Sequence, residues 1–165
     1  MEFNNRTMLS LEGVPGRKLD VQRPDDVCTK VVPHAKEACY FWLPTWWMQV
    51  IHGTMVDKFS GSAELCQQVP ANMQMMCFHG LSNEIGSFTT DVEEIKHLCH
   101  EGDSENPLFI MQCLSSAASA LRFSGKTPQE SKLLCSELID EQYDYCYNLA
   151  TVNYENRPRP FTPPS

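Results

Sequence analysis

No stretch of this sequence is apolar for long enough to cross a membrane. The longest apolar run, Ala38 to Ile51, covers about 14 residues and is broken by Pro44 and Thr45, whereas a helical span needs ~20. Residues 1–25 hold no continuous apolar core of the ~7–15 residues that a secretory signal uses, so a mature form or a fragment is expected. Basic residues are scarce: 13 Lys+Arg stand against 21 Asp+Glu, for a formal net charge of −8. Nucleic acid is thereby disfavoured as a partner, because phosphate binding needs clustered cations. The short signatures of familiar chemistry are missing too. There is no C-x2-C pair for zinc, no C-x2-C-H for haem, no G-x-S-x-G, no H-E-x-x-H and no Gly-rich phosphate loop. No cofactor is implied, and nothing singles out an enzyme.

What the chain does have is 165 residues, 42% of them hydrophobic and 21% charged, which suits one globular domain with its own core. It also has 8 Cys, about 5% of the chain and short of the ~8–10% of a miniature disulfide scaffold. The cysteines therefore stand beside a core and do not replace one. They fall into pairs. Ten residues separate Cys28 from Cys39, Cys66 from Cys77 and Cys135 from Cys146, and thirteen separate Cys99 from Cys113. The first members of successive pairs are 38, 33 and 36 positions apart. Each follows an aliphatic residue (Val27, Leu65, Leu98, Leu134), and each second member precedes an apolar one (Tyr40, Phe78, Leu114, Tyr147). A fourfold repeat follows from this alignment.

Counted from the second Cys, positions +1, +4 and +8 are Tyr40, Leu43, Trp47, then Phe78, Leu81, Ile85, then Leu114, Ala117, Leu121, then Tyr147, Ala150, Tyr154. This is one face of a helix. Ahead of two first cysteines stand helix starts: Thr90-Asp91-Val92-Glu93 and Thr127-Pro128-Gln129-Glu130 both read as capping boxes. Each unit thus reads as helix, turn, helix, with the turn between the two cysteines. Pro33, Pro70 and Pro107 supply it in three units; the fourth has Ile139-Asp140-Glu141. Pro44 is expected to kink or restart its helix.

In one continuous helix, residues eleven apart share a face but sit ~16.5 Å apart along the axis. A disulfide needs Cα atoms within about 4.4–6.8 Å. Folding each unit at its middle brings its pair together, which predicts Cys28–Cys39, Cys66–Cys77, Cys99–Cys113 and Cys135–Cys146. Two other arrangements remain. One joins successive units through Cys39–Cys66, Cys77–Cys99 and Cys113–Cys135; the other is eight buried free thiols. Even spacing favours an oxidising, extracytoplasmic setting: secreted, periplasmic or at a cell surface.

Three local features could carry chemistry or contacts. His97, Cys99 and His100 gather possible metal ligands, and they define the alternative function, a metal-binding or redox protein. Cys77-Phe78-His79-Gly80 places a histidine beside a glycine, but no nucleophile is singled out to work with it. Gly80 and Ser116 share one repeat position, which suits close helix approach. All three tryptophans lie between Tyr40 and Trp47. Trp42 and Trp46 fall beside the core stripe and form a possible contact patch, unless Val14, Leu19 and Val21 of the N-terminal arm cover it. Asn5-Arg6-Thr7 fits a glycosylation acceptor, and Arg157, Pro160 and Pro163 fit a basic-x-x-P-x-x-P ligand, though an ordinary chain end suffices.

The unit length is similar to that of tetratricopeptide-type hairpins, but their consensus is missing. Twin C-x9-C proteins, plant lipid-transfer proteins and saposin-like domains differ in cysteine spacing or order. The expected fold is all-α: four disulfide-stapled helical hairpins, as a short α-solenoid or a compact helical-repeat bundle. Residues 1–24 read as a loose arm, 25–155 as one helical-repeat domain (units near 25–53, 54–89, 90–125 and 126–155), and 156–165 as a proline-rich tail. The expected role is non-enzymatic, a structural or protein-interaction module with an unidentified protein partner.

Overall fold

The computed structural model describes residues 19–102 and 105–151. The fold is all-α, with no strand among the described residues. The helices are α1 (Asp26–Thr29), α2 (Lys36–Val50), α3 (Met55–Gln68), α4 (Ala71–Phe88), α5 (Val92–Gly102), α6 (Pro107–Phe123), α7 (Pro128–Lys132) and α8 (Asp140–Thr151). Two 3-10 turns, Pro33–Ala35 and Leu133–Glu137, precede α2 and follow α7. The chain divides into two compact units, one up to Leu81 and one from Ser82, and the division falls inside α4.

Local chemistry explains where the helices begin. Thr127 accepts a hydrogen bond from the Glu130 amide while Glu130 reaches back to the Thr127 amide, and Pro128 takes the first helical position. Thr54 and Asp57 form the same reciprocal pair at α3, a start that the sequence also carries but with Asp in place of Glu. At α5 the expected Thr90 cap is corrected by one residue. Asp91 Oδ1 accepts from the amides of Glu93 and Glu94, at 2.9 and 3.0 Å. A carboxylate next to the first helical amides complements the partial positive charge there and displaces the hydroxyl. Pro107 opens α6 behind the Asn106 side chain, which accepts from the Phe109 amide. The break before α8 uses neither Gly nor Pro. Asp140 itself takes φ 52°, a left-handed conformation that Asp tolerates better than most residues.

In the first unit the core gathers Tyr40, Leu43, Trp47, Phe59, Leu65, Phe78 and Leu81, all nearly or wholly buried. Helix α2 differs from its expectation at Pro44. The helix runs unbroken from Lys36 to Val50, with Pro44 buried inside it. Burial of Leu43, Pro44, Trp46, Trp47 and Met48 compensates one missing backbone hydrogen bond. Helix α4 approaches α2 closely: a Cβ on Gly80 would strike the carbonyl oxygen of Phe41. Tyr40 donates a 2.7 Å hydrogen bond to Asp25 Oδ2. Burial, with the Asp25 carboxylate beside it, holds the Tyr40 phenol well above its ordinary value of 10.0.

In the second unit the centre is α6. Every residue from Met111 to Leu121 is buried, so this helix has no solvent face in its middle turns. Four of its buried residues are polar. Gln112 Nε2 donates to Ser116 Oγ at 2.7 Å and Ser115 donates to Met111 sulfur at 3.8 Å, while Gln112 Oε1 is buried with no hydrogen-bond partner among the described residues. Small side chains such as Ala117 and Ala118 let neighbours come close from more than one side. The fourth stripe also differs from its expectation. Cys146, Leu149 and Ala150 face inward, while Tyr147 is 36% exposed; Tyr154 lies outside the described residues. A helix of three turns with three carboxylates has one inward edge, and Cys146 sets which edge that is.

Candidate functional site

Four disulfides are the main chemical feature. They join Cys28 to Cys39, Cys66 to Cys77, Cys99 to Cys113 and Cys135 to Cys146, with Cα separations of 5.6, 5.6, 5.7 and 5.6 Å. No described cysteine is free. Each bridge ties one helical segment to the helix that follows it, α1 to α2, α3 to α4, α5 to α6, and the Leu133–Glu137 turn to α8. Seven of the eight cysteines are wholly buried, so the bridges face core and not solvent. Two first segments are shorter than expected. Helix α1 has four residues and α7 has five, continued by a 3-10 turn. Such pieces do not hold themselves in water, and there the covalent link replaces helix length.

The metal alternative loses its sulfur. Cys99 is bonded to Cys113 and buried, so it offers no thiolate to a metal. His97 and His100 are exposed on α5 and turn to carboxylates. His97 Nδ1 lies 4.0 Å from Glu101, and His100 Nε2 donates to Glu137 Oε2 at 2.7 Å. Lys96 reaches the other Glu137 oxygen at 3.4 Å. The His100 hydrogen bond, helped by Lys96, holds the Glu137 carboxyl below the usual carboxylate range. The cluster links α5 to the Leu133–Glu137 turn. At this exposure it is a surface tether worth little by itself.

His79 is packed against α2. It is buried, and its ring meets Phe41 edge-on at 5.1 Å. The expected contact patch is corrected at Trp46, which is 5% exposed and belongs to the core with Trp47. Trp42 is half-buried, with its ring edge-on to Phe41 at 5.0 Å. The reason is the width of buried surface on α2, which one stripe underestimates. Of the arm residues expected to cover the patch, Val21 is 55% exposed and Leu19 is half-buried. Val14, the Asn5-Arg6-Thr7 acceptor and the Arg157–Pro160–Pro163 pattern lie outside the described residues.

One surface was missed in the sequence. Ile139, Tyr143 and Tyr147 recur every four residues into and along α8 and are 70%, 37% and 36% exposed. Lys132 donates to the Tyr147 hydroxyl at 2.8 Å and lies 4.0 Å from its ring centroid. The signal was present: two tyrosines one turn apart among three carboxylates. Assigning Tyr147 to the core stripe concealed it.

Fold and bridges together define the class, an all-α protein with four disulfides and no helix among the described residues long and apolar enough to cross a membrane. Compared with protein-family models, curated proteins and solved structures, the chain finds no match in any of the three.

Proposed function

We propose that this protein is a non-enzymatic structural or protein-interaction module that works outside the cytoplasm. Its within-hairpin disulfides would hold residues 25–155 as four helical hairpins in one helical-repeat domain. The observation that carries this reading is the complete, local pairing of the cysteines. Cytosolic thiols are kept reduced, whereas bridges buried in a core persist in oxidising compartments. Rigid hairpins suit a part that presents surface to another protein.

The test is intact mass on the protein taken from its natural compartment, before and after reduction. Four bridges give no alkylatable thiol and a mass ~8 Da below that of the reduced chain. Free thiols accompanied by bound zinc would overturn the reading. Peptide mapping supplies the pairing, and a Cys39–Cys66 link would break the hairpin scheme.

A further inference from the structure

The first bridge differs from the other three in its access to solvent. Both cysteines of Cys66–Cys77, Cys99–Cys113 and Cys135–Cys146 are wholly buried. In Cys28–Cys39 only Cys28 is. Cys39 is partly exposed, and Glu37 and Ala38 just before it are exposed. The difference has a local cause. Cys77, Cys113 and Cys146 are each the seventh residue of their helices, α4, α6 and α8. Cys39 is the fourth residue of α2, because a 3-10 turn at Pro33–Ala35 stands where the other three helices have their first turn.

The chain on the Cys28 side of this bridge is also weakly anchored. α1 has four residues, and neither α1, the Pro33–Ala35 turn nor α2 has a side-chain cap at its N-terminus. Thr54, Asn106 and Thr127 supply such caps to α3, α6 and α7. Single turns without caps hold their backbone hydrogen bonds poorly. Of residues 19–35, only Pro24 and Cys28 are buried. A second link to α2 is the hydrogen bond from Tyr40 to Asp25. Segments with so little buried surface open locally while the rest of a fold stays closed.

We propose that Cys28–Cys39 is a thiol-exchange site for a low-molecular-weight thiol, and that its reduction releases residues 19–35 from α2. A thiolate attacks Sγ of Cys39, since Cys28 is wholly buried. The new sulfur–sulfur bond joins the thiol to Cys39, and Cys28 leaves as a thiolate and takes up a proton. A second thiolate attacks the sulfur of the attached thiol. Cys39 then leaves as a thiolate and is protonated, and the two thiols depart as one disulfide. The bridge is reduced by two electrons, both supplied by the thiols. The other three bridges stay closed. This goes beyond the module reading, because the first hairpin becomes a part that opens under mild reduction while the remaining fold persists.

The test uses the full-length, fully oxidised protein, whose four bridges are first verified by intact mass, so that the module reading and this one fail separately. Reduced glutathione is added at neutral pH, and samples are quenched with an alkylating agent and mapped. Cys28 and Cys39 should be labelled about tenfold or more faster than any other cysteine. Early acid quenching should trap the glutathione adduct on Cys39. In hydrogen exchange, the protein reduced at this one bridge should lose amide protection in residues 26–35 and keep it in α6 and α8. Another bridge opening first, all four opening together, or an adduct on Cys28 overturns the proposal. Protection retained at residues 26–35 after reduction also overturns it, since the bridge would then not hold the segment.

Discussion

Thr127 sets the start of α7 with one hydroxyl. Its oxygen accepts from the Glu130 amide at 3.2 Å, and Glu130 Oε2 accepts from the Thr127 amide at 2.8 Å. Both partners are local, which is why four residues of sequence sufficed to foresee them. Thr127→Ala should cost about 1 kcal/mol in a denaturant titration. The acid side follows from the same bonds. Those with Thr127 lower the Glu130 carboxyl from 4.5, and His100 lowers that of Glu137 from the same value. A depressed folded value means the unfolded chain takes up the proton first. The stability from these carboxylates is therefore full above about pH 4.5 and is lost as pH falls through the depressed values. Stability measured from pH 6 downward should decline there, and less steeply for Glu137→Gln than for the parent. An equal decline in the variant would remove Glu137 from the account.

Between elements, close approach and covalent linkage do different work. Gly80 lets α4 lie against the α2 backbone at Phe41, and the obstruction to a side chain there is main chain, which does not yield as a flexible side chain would. Gly80→Ala should destabilise by about 3 kcal/mol, at the upper end of overpacking costs, although alanine favours helix. An unchanged thermal midpoint would show that the helices separate without penalty. The equal-spacing argument made Gly80 and Ser116 equivalent as small residues, but only Gly80 carries this contact with a carbonyl. At α1, by contrast, the bridge substitutes for length. Removing it with Cys28→Ser/Cys39→Ser should strip amide protection from residues 26–35, while α6 and α8 keep theirs in hydrogen exchange.

For the chain taken together, the bridges weigh heavily against total stability. Each closes a loop of about a dozen residues, worth on the order of 3 kcal/mol in the chain-entropy model. Four approach 12 kcal/mol, comparable with the ~5–15 kcal/mol of a typical domain. The reduced and alkylated chain should therefore lose most of its helical circular dichroism at 25 °C and neutral pH. A reduced chain that stays folded would assign the stability to packing alone.

Spacing, capping and proline position were readable directly, because each acts over a few residues: the helical class, the starts of α6 and α7, and the positions that permit bridges. Which flanking residues are buried was not readable, because it depends on how many neighbours a helix has. One stripe was too narrow for α2, α4 and α6, and wrongly placed on α8. Pro44, Trp46 and Tyr147 mark that difference. Two are enclosed because packing reaches around α2, and the third stays exposed because Cys146, tied to Cys135, turns the opposite edge of α8 inward.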